Sequence, residues 1–119
     1  MVVHDNATAL ATAVAAWNRG DLDGYLELYD PQILLHGLEP GIDSVRAMYR
    51  GMFAFYPGSQ LTLEDVLVDG DRLACRYTVR GTNRKTREEL VLPGVTIMHF
   101  RDGLVVERWD FEGTERNVA

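Results

Sequence analysis

The chain has 119 residues, of which 46% are hydrophobic and 25% charged, and this composition is typical of one globular domain over residues 1–119. Twelve basic and eighteen acidic side chains give a formal net charge of −6, which argues against nucleic acid as the main partner. No apolar run approaches the roughly 20 residues of a membrane span, and the first residues lack the pattern of a signal peptide. We therefore expect a cytoplasmic protein with no membrane partner.

Helical periodicity is the first signal along the chain. Apolar residues recur at helical spacing between positions 6 and 18, with a capping residue at position 5 or 6 and Gly20 as terminator. Asp21 can cap a second, shorter helix, which Pro31 prevents from continuing. The apolar face of this second helix is predicted to comprise Leu22, Tyr25, Leu26 and Tyr29.

A short strand and a third helix are predicted next. Residues 32–36 have strand character, and Asp43 with Ser44 can start a helix that ends before Pro57. The apolar stripe of this helix is wide enough to require burial. It consists of Val45, Met48, Tyr49, Met52, Phe53 and Tyr56.

Four segments rich in β-branched and aromatic residues fill the second half of the chain, at 61–68, 72–81, 89–101 and 104–111. Three helices followed by such a meander predict an α+β fold in which a curved sheet wraps the helices. Space that the helices leave unfilled inside the sheet is the natural ligand site.

Several segments carry a family resemblance. They are WNRGDLD at 17–23, FAFYP at 53–57, VDGDRLACR at 68–76 and FRDGLVVERWD at 100–110. In this order they resemble the SnoaL-like polyketide cyclases, which belong to the same superfamily as nuclear transport factor 2 and ketosteroid isomerase. The resemblance implies a cone-shaped fold of three N-terminal helices packed in a strongly curved mixed or antiparallel sheet.

The resemblance also implies a chemistry without metal or cofactor. SnoaL-like cyclases close a polyketide ring by aldol condensation, with an aspartate of the last strand as acid and base, and Asp110 matches that position. His36 matches the general-base position of ketosteroid isomerases, and a histidine can move protons near neutral pH. We therefore predict Asp110 and His36 as a catalytic pair that acts on a hydrophobic, oxygenated, polyketide- or steroid-like molecule.

Other side chains are predicted to contact the substrate. Two of the tyrosines match tyrosines that support the ketosteroid isomerase site, whereas the oxyanion-binding residues of that site fall on Ala13 and Thr96, so no equivalent oxyanion hole is expected. The predicted substrate-binding residues are Trp17, Tyr29, Tyr49, Met52, Phe53, Thr96 and Arg108.

The hairpin at 101–103 decides which side chains face inward. A three-residue loop with Gly103 in the left-handed conformation pairs Phe100 with Leu104, and His99 then points away from Asp110. On this favoured interpretation the inward face holds Thr96, Met98, Val106, Arg108 and Asp110. A two-residue loop would instead bring His99 in beside Asp110.

Two other functions stay open. One is a non-catalytic small-molecule-binding or dimeric interaction module. The other is an epoxide hydrolase of the limonene type, whose Arg-x-Asp pair Arg108 and Asp110 resemble, with Asp65 or Glu89 as the second carboxylate.

The resemblance further implies a homodimer that pairs through the outer face of the sheet. The residues expected on that face are Val105, Glu107 and Trp109. No metal site is expected, because the histidines are far apart in sequence and no acidic cluster has ligand spacing.

Overall fold

A computed structural model describes residues 4–113 and 116–118. The predicted α+β architecture of three N-terminal helices in a curved sheet is confirmed. The helices are α1 (Asn6–Asn18), α2 (Leu22–Leu26) and α3 (Ile42–Phe55). The strands are β1 (Tyr29–Leu35), β2 (Gln60–Asp69), β3 (Arg72–Thr82), β4 (Glu89–Arg101), β5 (Leu104–Glu112) and β6 (Arg116–Val118). Among the described residues, no helix is long and apolar enough to cross a membrane.

Side-chain caps begin the first two helices where the sequence predicts them. The Asp5 carboxylate accepts hydrogen bonds from the Thr8 backbone N–H at 3.0 Å and from the Thr8 hydroxyl at 2.7 Å. The Asp21 carboxylate accepts one from the Gly24 N–H at 2.9 Å. Such caps satisfy backbone donors that a helix cannot pair internally.

The second helix is shorter than its sequence pattern predicts. It ends at Leu26, and Tyr29 is the first residue of β1 rather than part of a helical face, which corrects that prediction. The backbone explains the change, because the Val105 N–H donates to the Leu28 carbonyl at 2.9 Å and Tyr29 pairs with Val105. Pairing with β5 therefore replaces a further turn of helix.

The sheet is mixed, with the strand order β1-β5-β4-β3-β2 and with β6 paired to β4. The segment from β2 to β5 is the predicted antiparallel meander. The first strand lies parallel to β5 and begins three residues before the predicted start at 32. This pairing brings the α2–β1 region next to the last long strand.

The hydrophobic core lies between the helices and the concave face of the sheet. Its largest fully buried side chains come from both layers, and each is at most 2% exposed. Full burial of such a side chain contributes roughly 1.5–3 kcal/mol. They are Trp17, Ile33, Val45, Leu73, Met98 and Val105.

A steric contact explains why a glycine stands in the middle of strand β4. Gly94 pairs with Tyr77, and a β-carbon at position 94 would lie 2.4 Å from Cζ and 2.5 Å from the hydroxyl oxygen of Tyr77. The Tyr77 ring therefore lies against the bare backbone of β4. A glycine inside a strand often marks such a close approach.

We predict opposite effects of alanine at two glycines. Gly94→Ala lowers the free energy of unfolding by about 1–3 kcal/mol, because the new methyl group must displace the Tyr77 ring. Gly51→Ala, in the interior of α3 with no atom within 4 Å of the new carbon, raises it by roughly 0.5–1 kcal/mol. Urea unfolding measures both, and equal stability of the two variants would contradict the proposed packing of Tyr77.

Candidate functional site

A cavity of about 220 Å³ lies between the helices and the concave face of the sheet. Its walls are mainly aliphatic, aromatic and thioether side chains, and four of its polar residues contact one arginine, Arg108. The lining residues are Leu10, Val14, Trp17, Tyr25, Met48, Tyr49, Met52, Leu61, Leu63, Cys75, Tyr77, Val79, Leu92, Thr96, Met98, Arg108, Asp110 and Glu112. A largely apolar cavity with a few convergent polar groups is the usual form of a small-molecule site.

The polar cluster is centred on the guanidinium of Arg108, which is 5% exposed. Its Nη1 donates to the hydroxyl oxygens of Tyr25 at 3.1 Å and Tyr49 at 2.8 Å, and also to that of Tyr29. The Tyr25 and Tyr29 hydroxyls are themselves 2.6 Å apart. Three phenols from α2, β1 and α3 thus converge on one buried cation.

The opposite side of the guanidinium holds Asp110. Both Nε and Nη2 of Arg108 lie 2.9 Å from Oδ1 of Asp110, whose side chain is 18% exposed. Nε also donates to the Thr96 hydroxyl at 3.1 Å, and that hydroxyl donates to the Trp109 carbonyl at 3.0 Å. Within residues 4–113, Oδ2 of Asp110 accepts no hydrogen bond, so one oxygen of this cavity-lining carboxylate is held and the other remains available.

Burial and charge set the protonation of the cluster. Burial raises the pKa of Tyr29 and Tyr49 well above the usual value, although the nearby Arg108 cation opposes the shift. Burial alone disfavours the Arg108 cation, but the surrounding tyrosines and Asp110 outweigh it and hold the pKa of the guanidinium above its ordinary value. Near neutral pH Tyr29 and Tyr49 are therefore neutral phenols beside a permanent cation.

A bulge in β5 turns Arg108 and Asp110 inward. Arg101 pairs with Leu104 across a two-residue turn in which Asp102 and Gly103 have φ of 52° and 81°. The predicted three-residue loop, with Phe100 opposite Leu104, is therefore wrong. Phe100 pairs with Val105 and His99 with Glu107, so Val106 is the extra residue that restores the predicted inward face at Arg108 and Asp110.

The same bulge corrects two predictions for β5. Val105, expected on the outer face, is fully buried in the core. Val106, expected on the inner face, is only partly buried and does not line the cavity. Because side chains alternate along a strand, one extra residue shifts the face of all residues on one side of it.

The two candidate histidines lie outside the cavity. His36 bonds through Nε2 to Oε2 of Glu107 at 2.7 Å, and its ring stacks on Trp109 with the centroids 4.9 Å apart. His99 bonds to Asp71 at 2.9 Å. Glu107 and Trp109 alternate with the inward residues of β5, so the structure does not bring His36 to Asp110.

The other predicted contact residues separate into two groups. The cavity is lined by Trp17, Tyr49, Met52, Thr96, Arg108 and Asp110. Tyr29 and Phe53 do not line the cavity themselves but contact residues that do. Tyr29 bonds to Arg108, and Phe53 packs edge-on against Trp17 with the ring centroids 4.6 Å apart. Neither carboxylate suggested for epoxide hydrolysis lines the cavity, because Asp65 pairs with Arg76 and Glu89 is exposed.

Tyr25 and Tyr77 were not predicted as site residues. Tyr25 precedes Tyr29 by four residues, which is the spacing of a helical face, but α2 ends at Leu26, and the two hydroxyls contact Arg108 from a helix and a strand. The sequence signal for Tyr77 is Gly94, but it requires the strand register that places the two residues opposite each other. Among the described residues, no three histidine, cysteine or acidic side chains come together to hold a metal ion.

Comparisons with known proteins agree with this geometry. A model of the SnoaL-like domain matches residues 10–108. AclR from Streptomyces galilaeus, a candidate hydroxylase, is 28% identical with a TM-score of 0.82, over 92% of this chain and 89% of that one. IdmH from Streptomyces antibioticus, a candidate polyketide cyclase, is 25% identical with a TM-score of 0.80, over 92% of each chain. No curated protein matches the sequence.

A further structure resembles the chain in fold alone. TerC, crystallised with polyporic acid, is 18% identical with a TM-score of 0.76 over 91% of each chain.

The buried acidic groups predict a loss of stability at alkaline pH. Burial raises the pKa of the Cys75 thiol from 9.0 to about 11 and also raises that of Tyr29, Tyr49 and Tyr77. Each group keeps its proton in the folded chain at a pH where the unfolded chain releases it. The stabilisation is therefore complete below about pH 9 and is lost as pH rises, by up to about 1.4 kcal/mol per pH unit for each group.

Urea unfolding between pH 8 and 11 tests this prediction. In the Cys75→Ala variant the decline begins nearer pH 10, because only the tyrosines remain to drive it. A free energy of unfolding that stays constant up to pH 11 would contradict the burial of these groups.

Proposed function

The chain belongs to the family of SnoaL-like domain proteins, and on that basis we propose that it is a cofactor-independent acid–base enzyme acting on a hydrophobic, oxygenated small molecule. In the proposed reaction Asp110 removes a proton from a carbon next to a carbonyl group. The resulting enolate then attacks a second carbonyl, as in aldol cyclisation, or is reprotonated at another carbon, as in isomerisation.

The observation that carries this proposal is the state of the Asp110 carboxylate. Two guanidinium nitrogens hold Oδ1, whereas Oδ2 accepts no hydrogen bond from residues 4–113, and Asp110 lines a largely apolar cavity. A carboxylate held in one orientation is suited to general-base catalysis, because the acceptor oxygen must be within hydrogen-bonding reach of the substrate proton. The electron pair of the C–H bond stays on the substrate as the enolate, so the step needs no oxidant or reductant.

The volume of the cavity limits the substrate. A cavity of about 150 Å³ is sufficient for benzene, and the cavity here is about 220 Å³. The space beside Asp110 therefore suits one substituted ring or a compact pair of rings. A steroid- or tetracycle-sized substrate would have to extend past the half-exposed Met48 at the rim.

We predict that Asp110→Asn reduces proton abstraction by about 100-fold or more. The substitution keeps the size of the side chain and removes the base. Deuterium exchange into one- and two-ring ketones and β-dicarbonyl compounds, followed by NMR, measures the step without knowledge of the final product.

His36→Gln is the matched control, because His36 lies outside the cavity and bonds to Glu107. Its exchange rate should stay within about twofold of the unaltered protein. Exchange that is catalysed by the unaltered protein and unchanged in Asp110→Asn would show that another group is the base. No exchange above the uncatalysed rate with the unaltered protein would instead favour a binding module without this chemistry.

We also propose a homodimer that forms through the convex outer face of the sheet. Strand register places exposed apolar side chains in two adjacent rows across β2, β4 and β5. Contiguous exposed apolar surface commonly marks an interaction site, and pairing of the same face in two copies gives the closed symmetry of most dimers. These residues, with their exposed fractions, are Leu67 (72%), Val95 (43%), Ile97 (39%) and Phe111 (63%).

Ile97→Lys is predicted to shift the protein from dimer to monomer in sedimentation velocity, because the substitution puts a charge in the middle of the proposed interface. The control is Phe55→Lys on α3, which replaces a side chain that is 52% exposed but lies away from the outer face. A monomeric unaltered protein, or equal behaviour of the two variants, would exclude this interface.

A further inference from the structure

The three tyrosine hydroxyls at Arg108 lie in one hydrogen-bonded cluster. The Tyr25 and Tyr29 oxygens are 2.6 Å apart, and either can donate to the other. The Tyr25 hydroxyl points its donor at the Tyr49 oxygen at 3.4 Å, and that oxygen lies 2.8 Å from Nη1 of Arg108, which also contacts the other two hydroxyls. Tyr49 is therefore an acceptor in each of its contacts within the cluster.

The hydroxyl hydrogen of Tyr49 has no partner within this cluster. Its oxygen accepts from Tyr25 and Arg108, and among residues 4–113 no acceptor is bonded to its hydrogen. Tyr49 also lines the cavity. The unused donor therefore belongs to a residue that borders the cavity.

Tyr49 and Asp110 contact the same guanidinium from different nitrogens. Nη1 of Arg108 lies 2.8 Å from the Tyr49 oxygen, and Nη2 lies 2.9 Å from Oδ1 of Asp110. Both residues line the cavity. One rigid planar group thus fixes a hydrogen-bond donor and a hydrogen-bond acceptor beside the same space.

We infer that Tyr49 is a second catalytic residue, which donates a hydrogen bond to the substrate carbonyl oxygen and stabilises the enolate formed by Asp110. The inference rests on the proposed function. The C–H proton moves to Oδ2 of Asp110, the negative charge develops on the carbonyl oxygen, and Tyr49 keeps its own proton. The adjacent Arg108 cation strengthens the donor, because hydrogen bonding to the cation polarises the phenol.

The positions of Tyr49 and Asp110 also indicate the class of substrate. The oxygen that Tyr49 binds and the carbon that Asp110 deprotonates must lie close together beside Arg108. A cyclic ketone or β-dicarbonyl compound of one or two rings meets this requirement within about 220 Å³. A phenolate of the same size is a stable mimic of its enolate, because both carry the charge on an oxygen attached to an unsaturated carbon.

The first experiment measures binding of 4-nitrophenolate by its absorbance. Tyr49→Phe should weaken binding by about 10-fold or more and slow deuterium exchange into the ketone panel by about 100-fold. The ring that packs against Trp17 is retained in this variant. The control is Tyr56→Phe, which removes a phenol that does not line the cavity and should change either quantity by less than about threefold.

Asp110→Asn separates this inference from the proposed function. The variant loses the base, yet it should bind 4-nitrophenolate at least as tightly as the unaltered protein because an anion is removed from the site. If exchange survives in Asp110→Asn, Asp110 is not the base and the proposed function is wrong. The role of Tyr49 is then still tested, because the effect of Tyr49→Phe on phenolate binding does not depend on the base. Phenolate binding that is equal in Tyr49→Phe and Tyr56→Phe would overturn the inference.

A second measurement uses the unaltered protein and so does not depend on how any variant folds. The infrared carbonyl stretch of bound 2-indanone should lie below its frequency in an alkane solvent, because the Tyr49 hydroxyl donates to the oxygen. An unshifted carbonyl band in the bound ketone would also overturn the inference.

Discussion

The interaction between the buried Arg108 guanidinium and its five partners is the constraint around which the other elements are arranged. Removing a cation from water costs several kcal/mol unless other groups replace its hydration. Here the replacements come from α2, β1, α3, β4 and β5, so a single side chain connects the helical layer to the sheet. The partners are Tyr25, Tyr29, Tyr49, Thr96 and Asp110.

The same network explains why a cavity remains beside a well-packed core. Hydrogen bonds fix the phenol rings and the guanidinium in position, so they cannot move to fill neighbouring space as flexible apolar side chains do. The lining also includes aliphatic and thioether groups such as Leu61, Met52 and Met98, which do not replace water as hydrogen-bond partners. The Arg108 cluster therefore borders a largely apolar cavity, and its charges are screened less than they would be in water.

Sequence predicts this architecture well where local signals decide it. The caps at Asp5 and Asp21, the four meander strands and the family resemblance all agree with the structure. The site is less predictable, because its geometry depends on single-residue differences in register. The turn has two residues where three were predicted, but the extra residue Val106 compensates, so Arg108 and Asp110 still face inward. The sequence around Val106 gives no strong signal for such a bulge.

Sequence periodicity also cannot predict that three tyrosines converge on one arginine. Tyr25 and Tyr29 share helical spacing, yet they belong to a helix and a strand, and Tyr49 comes from a third element. Their hydroxyls meet only because β1 pairs in parallel with β5 and so brings the α2–β1 region next to Arg108. A pairing between distant segments cannot be deduced from spacing within either one.

Stability alone gives no reason to keep a buried ion pair, because well-packed apolar residues of similar volume often serve a fold equally well or better. A network that only compensated Arg108 would also be expected to use all of its own donors and acceptors. This one leaves an acceptor, Oδ2 of Asp110, and a donor, the Tyr49 hydroxyl, both beside the cavity. An unused donor and acceptor beside one buried cation are what enolate chemistry requires, and this match is the physical basis on which we propose that the network serves catalysis.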